Sequence, residues 1–200
     1  GPLAADDDSP LGSWSARGRR EEVVTLLEGI TGAVARMTSV GYARGCSIDT
    51  VGTEGFAAAV ELARRADVVI LALGEDRDMS GEASCRSSLD LPGSQQALLE
   101  AVMQTGKPVV LVLMNGRPLS IAGAAGHVPA IIEGWYLGTT AGAALADVLF
   151  GDYNPSGRLP VSVPRTVGQV PIYYNHKNTG RPGDTKNHYT STYLDLPLTP

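Results

Sequence analysis

Two uninterrupted apolar runs, Val68–Leu73 (VVILAL) and Val109–Met114 (VVLVLM), are the strongest constraint on the fold of this chain. Each run has the length and composition of a β-strand, and neither alternates with polar residues. Strands without alternation are covered on both faces, which is typical of parallel sheets flanked by helices. A third run, Ala130–Trp135, has the same character. These three segments therefore predict the centre of a buried parallel sheet.

Segments with helical periodicity lie before, between and after these runs, and two further short segments have strand character. Strands that alternate with helices predict an α/β fold with right-handed crossovers. We expect an open, mostly parallel sheet with helices on both faces, an α/β sandwich with Rossmann-like layers. The predicted helices are Glu21–Met37, Gly55–Arg65, Ser94–Thr105 and Thr140–Phe150; the short strands are Val40–Ala43 and, flanked by prolines at an edge, Leu159–Val163.

Residues 1–164 are expected to form this domain, and residues 165–200 an extended C-terminal tail that leads to further sequence in the parent protein. The chain starts Gly1-Pro2-Leu3 without a basic and apolar leader, so we expect a processed or excised piece of a longer protein. A length of 200 residues is enough for one domain to bury a core without disulfides or a metal.

Charge and cysteine content narrow the possible partners. The chain has 16 basic and 21 acidic residues, a net charge of −5, which disfavours a general nucleic-acid-binding surface. No apolar run approaches the ~20 residues of a membrane span. Cys46 and Cys85 are too few for a disulfide framework or a zinc cage, and whether they pair stays open. The three histidines show no metal-ligand spacing, and no cofactor is indicated.

The loop after Val68–Leu73 is the most informative segment for function, because ligands of open α/β sheets bind beyond the carboxyl ends of the strands. Residues 74–91 form an 18-residue loop with five acids and two arginines. Structureless loops longer than ~12–15 residues are usually functional or disordered. Glu75 lies at the strand end and Glu82 in mid-loop, and either could serve as a general acid if burial raised its pKa. A solvated surface loop is the alternative.

Three other loops belong to the same predicted edge. Asn115–Pro118 is predicted to be a turn that caps the next element. The glycines and threonines of Tyr136–Gly142 could cradle an anion at a helix N-terminus, but the lysine of a P-loop and the spacing of a dinucleotide fingerprint are missing. We favour a threonine N-cap with close helix packing. Trp14, in a Gly/Ser loop, is suited equally to stacking on a sugar ring or to packing, whereas Trp135 is predicted to be core.

Several segments together resemble the C-terminal α/β-sandwich domain of glycoside hydrolase family 3, in its periplasmic β-glucosidase branch. The resemblance covers nearly the whole chain, and the long block that ends at Pro160 is its most specific part. The matching stretches are 1–4, 11–15, 82–84, 91–92, 106–118, 146–160, 170–176 and 178–182.

This resemblance implies a retaining, exo-acting β-glycosidase, in which two carboxylates work about 5–5.5 Å apart. In the family the nucleophile is an aspartate of an N-terminal (β/α) barrel, so no residue of this chain is given that role. By its position in the motif, Glu82 matches the acid/base glutamate. Trp14 matches an aromatic that flanks the leaving-group sugar, and Glu75 matches a supporting residue. With Arg86, these two are assigned to substrate binding.

The resemblance also implies a β-linked glucoside or oligosaccharide as substrate, the barrel domain of the same protein as partner, and a periplasmic or secreted location. Neither nucleic acid nor a membrane is an expected partner. Two other readings of the residues stay open. One is a non-catalytic α/β module that binds a nucleotide or phosphate at Gly138–Gly142, and the other is a carbohydrate-binding domain that uses Trp14.

Overall fold

The computed structural model describes residues 1–36, 38–177, 180–184 and 186–200. Within these ranges the chain forms three strands, five α-helices and four short 3-10 helices. In chain order the main elements are α1 Leu26–Ala33, α2 Phe56–Arg65, β1 Val69–Gly74, α3 Gln95–Met103, β2 Val109–Met114, α4 Ala122–His127, β3 Ala130–Glu133 and α5 Ala141–Phe150; the 3-10 helices are Ser9–Leu11, Arg20–Glu22, Arg77–Met79 and Val167–Gln169.

The three strands form one parallel sheet in the order β1-β2-β3. Val69 lies beside Val109, and Val110 lies beside Ala130. Since all three strands run the same way, their carboxyl ends meet at one edge of the sheet. The predicted parallel pairing is therefore confirmed, and β1 and β2 are largely buried. The third strand is shorter than the predicted Ala130–Trp135, and its residues are only partly buried or exposed.

Alternate residues of the strands enter two separate cores. Leu71 and Leu111 point to one face, where they pack with residues of α2, α3 and α4. Ala72 and Val112 point to the other face, where they pack with residues of α1 and α5. Helices thus cover both faces of the sheet, which explains the lack of polar alternation in the strands and confirms the predicted α/β sandwich.

The first helix is shorter than predicted. The segment Glu21–Met37 forms a 3-10 turn at Arg20–Glu22 and then α1, which ends at Ala33; Met37 lies outside the described residues. Thr25 starts α1 with a capping box, in which its hydroxyl accepts the amide of Glu28 and the Glu28 carboxylate accepts the amide of Thr25. Periodicity alone did not reveal this N-cap within the apolar pattern.

Two predicted strands are absent, and one helix was not predicted. Val40–Ala43 and Leu159–Val163 are irregular in the structure. The second has prolines at 160 and 164, which lack the amide that a sheet ladder needs. Helix α4 forms in a glycine-rich segment because Ala124 and Val128 pack into the core beside β2.

The C-terminal residues 165–200 contain one short 3-10 helix, Val167–Gln169, and otherwise turns and irregular backbone in their described part. The buried Gln169 amide donates to the carbonyls of Pro197 and Thr199, at 3.0 and 3.4 Å. Cys46 is buried and Cys85 exposed, and both are free thiols. Across the described ranges, none of the helices has the length and apolar character needed to cross a membrane.

Candidate active site

Strand β1 ends in a backbone arrangement that requires glycine. Gly74 has a φ of +140°, and a Cβ there would lie 2.0 Å from the carbonyl oxygen of Met114. The buried Gln95 side chain accepts the Gly74 amide at 2.7 Å and donates to the Gly74 carbonyl at 2.7 Å. Since Gln95 belongs to α3, this helix fixes the direction in which the chain leaves the sheet.

Glu75 follows directly and is fully enclosed at the carboxyl edge, with 0 % of its side chain exposed. Its Oε1 lies 2.8 Å from Nη1 of Arg86 and 3.0 Å from Nε of Arg117. A buried carboxylate is tolerated when cations and hydrogen bonds compensate its desolvation. Because both arginines occupy its oxygens, Glu75 is placed to hold neighbouring loops rather than to meet a ligand directly.

The two arginines approach Glu75 from different parts of the chain. Arg86, on the long loop, also donates to the carbonyl of Asp90 at 3.2 Å. Arg117, in the turn after β2, also donates from Nη2 to the carbonyls of Met79 and Ser84, the latter at 2.8 Å. The turn at Asn115–Pro118 therefore does more than cap the next element, since it contributes the residue that bonds the long loop at two points.

Glu82 lies at the exposed tip of this loop, between Met79 and Ser84. Among the described residues, its carboxylate has neither a hydrogen bond nor an ion pair. Its two neighbours have backbone angles unusual for L-residues, with φ of +119° at Gly81 and +62° at Ala83. The tip is thus a tight turn that presents a free carboxylate at the carboxyl edge of the sheet.

The tip lies against the loop that carries Trp14. A Cβ added to Gly81 would lie 2.2 Å from the Ser13 hydroxyl and 3.6 Å from Nε1 of Trp14. Trp14 is 76 % exposed. Arg77, at the base of the tip, donates to Ser15 Oγ at 2.9 Å. The residue that precedes Glu82 therefore packs against the loop of the exposed Trp14.

Tyr136 connects the loop after β3 to the same region. Its hydroxyl donates to the Asp76 carbonyl at 2.6 Å, and its ring packs on Gly12, where a Cβ would lie 3.2 Å from Cδ2. Burial raises the pKa of Tyr136 above its ordinary value, with the carboxylates of Glu75 and Asp76 adding to the effect. Tyr136 therefore remains a neutral hydrogen-bond donor.

Glu133 ends β3 beside a polar residue of the neighbouring strand end. Burial raises the pKa of Glu133 to about 7, although the Trp135 amide donates to its Oε1 at 3.3 Å. Asn115 is fully buried, and its Oδ1 has no hydrogen-bond partner in the described part of the chain. Trp135, predicted to be core, is only partly buried and has a φ of +49°.

The Gly138–Gly142 segment offers little room for an anion. The Gly142 amide donates to the Val24 carbonyl at 2.9 Å, and the Ala141 amide donates to the Gly138 carbonyl at 3.2 Å. A Cβ on Gly29 would lie 2.1 Å from the Gly142 carbonyl oxygen, so α1 and α5 are in backbone contact. Close helix packing is as predicted, but Thr140 makes no side-chain cap bond. The described residues contain no cluster of His, Cys, Asp and Glu that could hold a metal ion.

Comparison with known proteins identifies the family. The model of the "Glycosyl hydrolase family 3 C-terminal domain" matches residues 1–194. This chain belongs to that family. The chain is 46 % identical over 217 aligned positions to a periplasmic beta-glucosidase of Salmonella typhimurium. The alignment covers 98 % of this chain and 28 % of that relative. A beta-xylosidase of Formosa agariphila is 43 % identical over 87 % of the chain and 25 % of its own length.

The solved structures similar to this family 3 domain agree with these relatives. A beta-glucosidase of Listeria innocua in complex with gluconolactone superposes with a TM-score of 0.90 at 39 % identity, over 100 % of this chain and 27 % of that one. A β-glucosidase from Erythrobacter marinus gives a TM-score of 0.83 at 36 % identity, over 29 % of its length. The family 3 domain thus spans about a quarter of the relatives that it matches.

The structure brings the four predicted site residues, Trp14, Glu75, Glu82 and Arg86, to the carboxyl edge of the sheet. Sequence reasoning missed Arg117, Tyr136 and the pair of Asn115 and Glu133. One signal was available for all of them, because each follows or ends an apolar strand run at the edge where Glu75 lies. A charged or hydrogen-bonding residue at that position is a candidate in any open parallel sheet.

Proposed function

We propose that this domain supplies the acid/base carboxylate, Glu82, to a retaining, exo-acting β-glycosidase that hydrolyses terminal β-linked sugars such as β-glucosides. The single observation that carries the proposal is the free carboxylate of Glu82 on a firmly anchored loop beside the exposed Trp14. The names of the relatives, beta-glucosidase and beta-xylosidase, support the substrate class.

The proposed reaction uses Glu82 twice. Its carboxylic acid protonates the glycosidic oxygen while a carboxylate of another domain of the protein attacks the anomeric carbon, so the C–O bond breaks and the aglycone alcohol leaves. The resulting Glu82 carboxylate then takes a proton from water, which attacks the anomeric carbon and releases the sugar. Glu82 ends protonated, and the attacking carboxylate is regenerated.

Trp14 and the enclosed arginine network have supporting roles in this proposal. The open indole face suits the apolar face of the leaving-group sugar. Glu75 and Arg86 act on substrate binding through the loops that they hold, because the carboxylate of Glu75 is enclosed by Arg86 and Arg117. The partner is a barrel domain that holds the nucleophile, and the name of the Salmonella relative supports a periplasmic or secreted location.

The test uses the intact enzyme and its Glu82→Gln variant, with cellobiose and 2,4-dinitrophenyl β-glucoside as substrates. Loss of the acid should lower kcat/KM on cellobiose by roughly 10²–10⁴-fold, because its leaving group needs a proton. The first step on the dinitrophenyl substrate should be nearly unchanged, and azide should restore turnover of Glu82→Ala as glycosyl azide. Equal losses on both substrates without azide rescue would contradict the proposal.

A second candidate function is sugar binding without catalysis, which the 76 % exposure of Trp14 favours. Calorimetry with glucose and cellobiose on the chain and on Trp14→Ala would detect it. Binding that Trp14→Ala abolishes, together with an intact enzyme indifferent to Glu82→Gln, would favour this candidate. In the acid/base proposal, the chain alone has one carboxylate of the required pair and should not hydrolyse aryl β-glucosides.

A further inference from the structure

We propose that Arg117 is a positioning residue that fixes the loop tip carrying Glu82, an inference that rests on the acid/base role proposed for Glu82. The turn after β2 holds Arg117, whereas the tip belongs to the loop after β1. The orientation of the acid/base carboxylate would then depend on the turn after β2 as well as on the loop after β1.

The bonds of Arg117 bracket the tip. Its Nη2 donates to the carbonyl of Met79 on one side and to that of Ser84 on the other, at 2.8 Å for Ser84. Only residues 80–83 lie between these two carbonyls. Meanwhile Nε lies 3.0 Å from Glu75 Oε1, so the guanidinium is itself fixed by a buried carboxylate. One planar group therefore closes both ends of a four-residue turn.

The tip has few bonds of its own. The Ser84 amide reaches the Gly81 carbonyl at 3.3 Å, and the Ser84 hydroxyl donates to the Asp78 carbonyl at 2.8 Å. Two of its residues, Gly81 and Ala83, have positive φ, which local interactions do not favour for alanine. An external anchor is therefore needed to maintain the turn.

The turn that carries Arg117 is itself fixed against the tip. The buried Asn115 amide donates to the Arg117 carbonyl at 2.8 Å. A Cβ on Gly116 would lie 2.3 Å from the Ser80 hydroxyl, so the Gly116 backbone packs closely against the Ser80 side chain. This contact leaves the guanidinium little freedom to move relative to the tip.

Arg86 provides a matched comparison. It also pairs with Glu75, at 2.8 Å, but its other bond goes to the Asp90 carbonyl and not to the tip. Arg86→Met and Arg117→Met therefore each remove one cation from Glu75, and only the second also frees the carbonyls of Met79 and Ser84. Lysine at 117 keeps the cation but lacks the planar fork.

The first measurement is amide hydrogen exchange of residues 79–85 in the intact enzyme. Arg117→Met and Arg117→Lys should both speed exchange at the tip, whereas Arg86→Met should leave it close to wild type. Unchanged exchange in both Arg117 variants would overturn the proposal. Should Arg117→Met fail to fold, Arg117→Lys carries the test.

The second measurement compares cellobiose with 2,4-dinitrophenyl β-glucoside. A displacement of a reacting group by about 1 Å can lower a rate by ~10²-fold, so Arg117→Met and Arg117→Lys should lose roughly 10–100-fold in kcat/KM on cellobiose. The kcat/KM of both variants on the dinitrophenyl substrate should change little. In the double variant Glu82→Gln/Arg117→Met, the loss on cellobiose should not exceed that of Glu82→Gln.

The two proposals fail in different ways. If Glu82→Gln does not discriminate between the two substrates, the acid/base proposal is wrong. Suppose instead that Glu82→Gln lowers kcat/KM on cellobiose but not on the dinitrophenyl substrate. The positioning role of Arg117 is then wrong if both Arg117 variants lower kcat/KM equally on the two substrates. It is also wrong if the losses of Arg117→Met and Glu82→Gln on cellobiose add fully in the double variant.

Discussion

Arg77 donates from Nη1 to Oδ1 of Asp8 at 3.0 Å, and this ion pair connects the loop that carries Glu82 to the segment that carries Trp14. The two residues are 69 positions apart, and both side chains are partly buried. Asp8 also lies 3.8 Å from Nε of Arg20, which adds a second cation at the same carboxylate. The relative placement of the exposed indole and the free carboxylate thus depends on a specific tertiary contact.

Arg77→Met should weaken binding of the leaving-group sugar in the intact enzyme. A partly exposed ion pair contributes about 1 kcal/mol or less, so we expect the KM for cellobiose to rise by up to roughly fivefold. If Trp14 binds the leaving-group sugar as proposed, the activity on an aryl glucoside should change less. Steady-state kinetics on both substrates measure the difference.

Arg65→Met is the control, because Arg65 is exposed and pairs with Glu61 on the surface of α2. It should leave both KM values unchanged. An Arg77→Met enzyme with an unchanged KM for cellobiose would show that the ion pair does not set the distance between the two loops.

The raised pKa of Glu133 predicts that the free energy of unfolding depends on pH. Burial raises its pKa to about 7 in the native state, from 4.5, so between these values the native state retains a proton that the unfolded state has lost. Stability should therefore decline as pH rises from about 4.5, with the full penalty above about 7. Urea unfolding of the chain at pH 4, 6 and 8 measures this decline.

Glu133→Gln should remove that decline. At pH 8 the variant should be more stable than wild type by roughly 1–3 kcal/mol, while at pH 4 the two should be alike. The exposed Glu54 is the control position, since Glu54→Gln should follow the wild-type pH profile. A parallel loss of stability in Glu133→Gln at all three pH values would argue for an ordinary hydrogen-bonding role instead.

Gly81→Ala should disturb the tip for two reasons. The φ of +119° is unfavourable for alanine, and its Cβ would lie 2.2 Å from the Ser13 hydroxyl. Strain of this kind costs about 1–3 kcal/mol, so we expect faster hydrogen exchange at the tip and lower activity on cellobiose. Ser13→Gly should restore only the steric part of the loss.

Gly126→Ala is the matched control for that substitution. Gly126 lies in α4, and nothing lies within 4 Å of a Cβ placed there. Alanine in an open helical position should stabilise the chain by about 0.5–1 kcal/mol, measured by urea unfolding. If Gly81→Ala also stabilised the chain and left hydrogen exchange at the tip unchanged, the tip would not be constrained by its backbone conformation and its contact with Ser13.

The sequence by itself determined the sheet and the edge at which the candidate site residues lie. Val109–Met114 forms a strand with the predicted bounds, and Val68–Leu73 is displaced by one residue, because an apolar run without alternation can be satisfied only between two layers. It also indicated that Glu75 and Glu82 leave the sheet at its carboxyl end. The two short strands predicted at Val40–Ala43 and Leu159–Val163 were wrong. Short strands need a partner backbone, which local sequence does not specify.

Only the tertiary structure supplied the physical difference between the two glutamates. The residue pattern left both as candidate acids and the family resemblance alone separated them, whereas in the structure Glu75 is enclosed by Arg86 and Arg117 and Glu82 lies on an exposed tip against the loop of Trp14. Arg117 lies 42 residues from Glu75 in the chain. Contacts at such separation depend on how neighbouring strands pair, and that pairing is a property of the assembled sheet rather than of any segment.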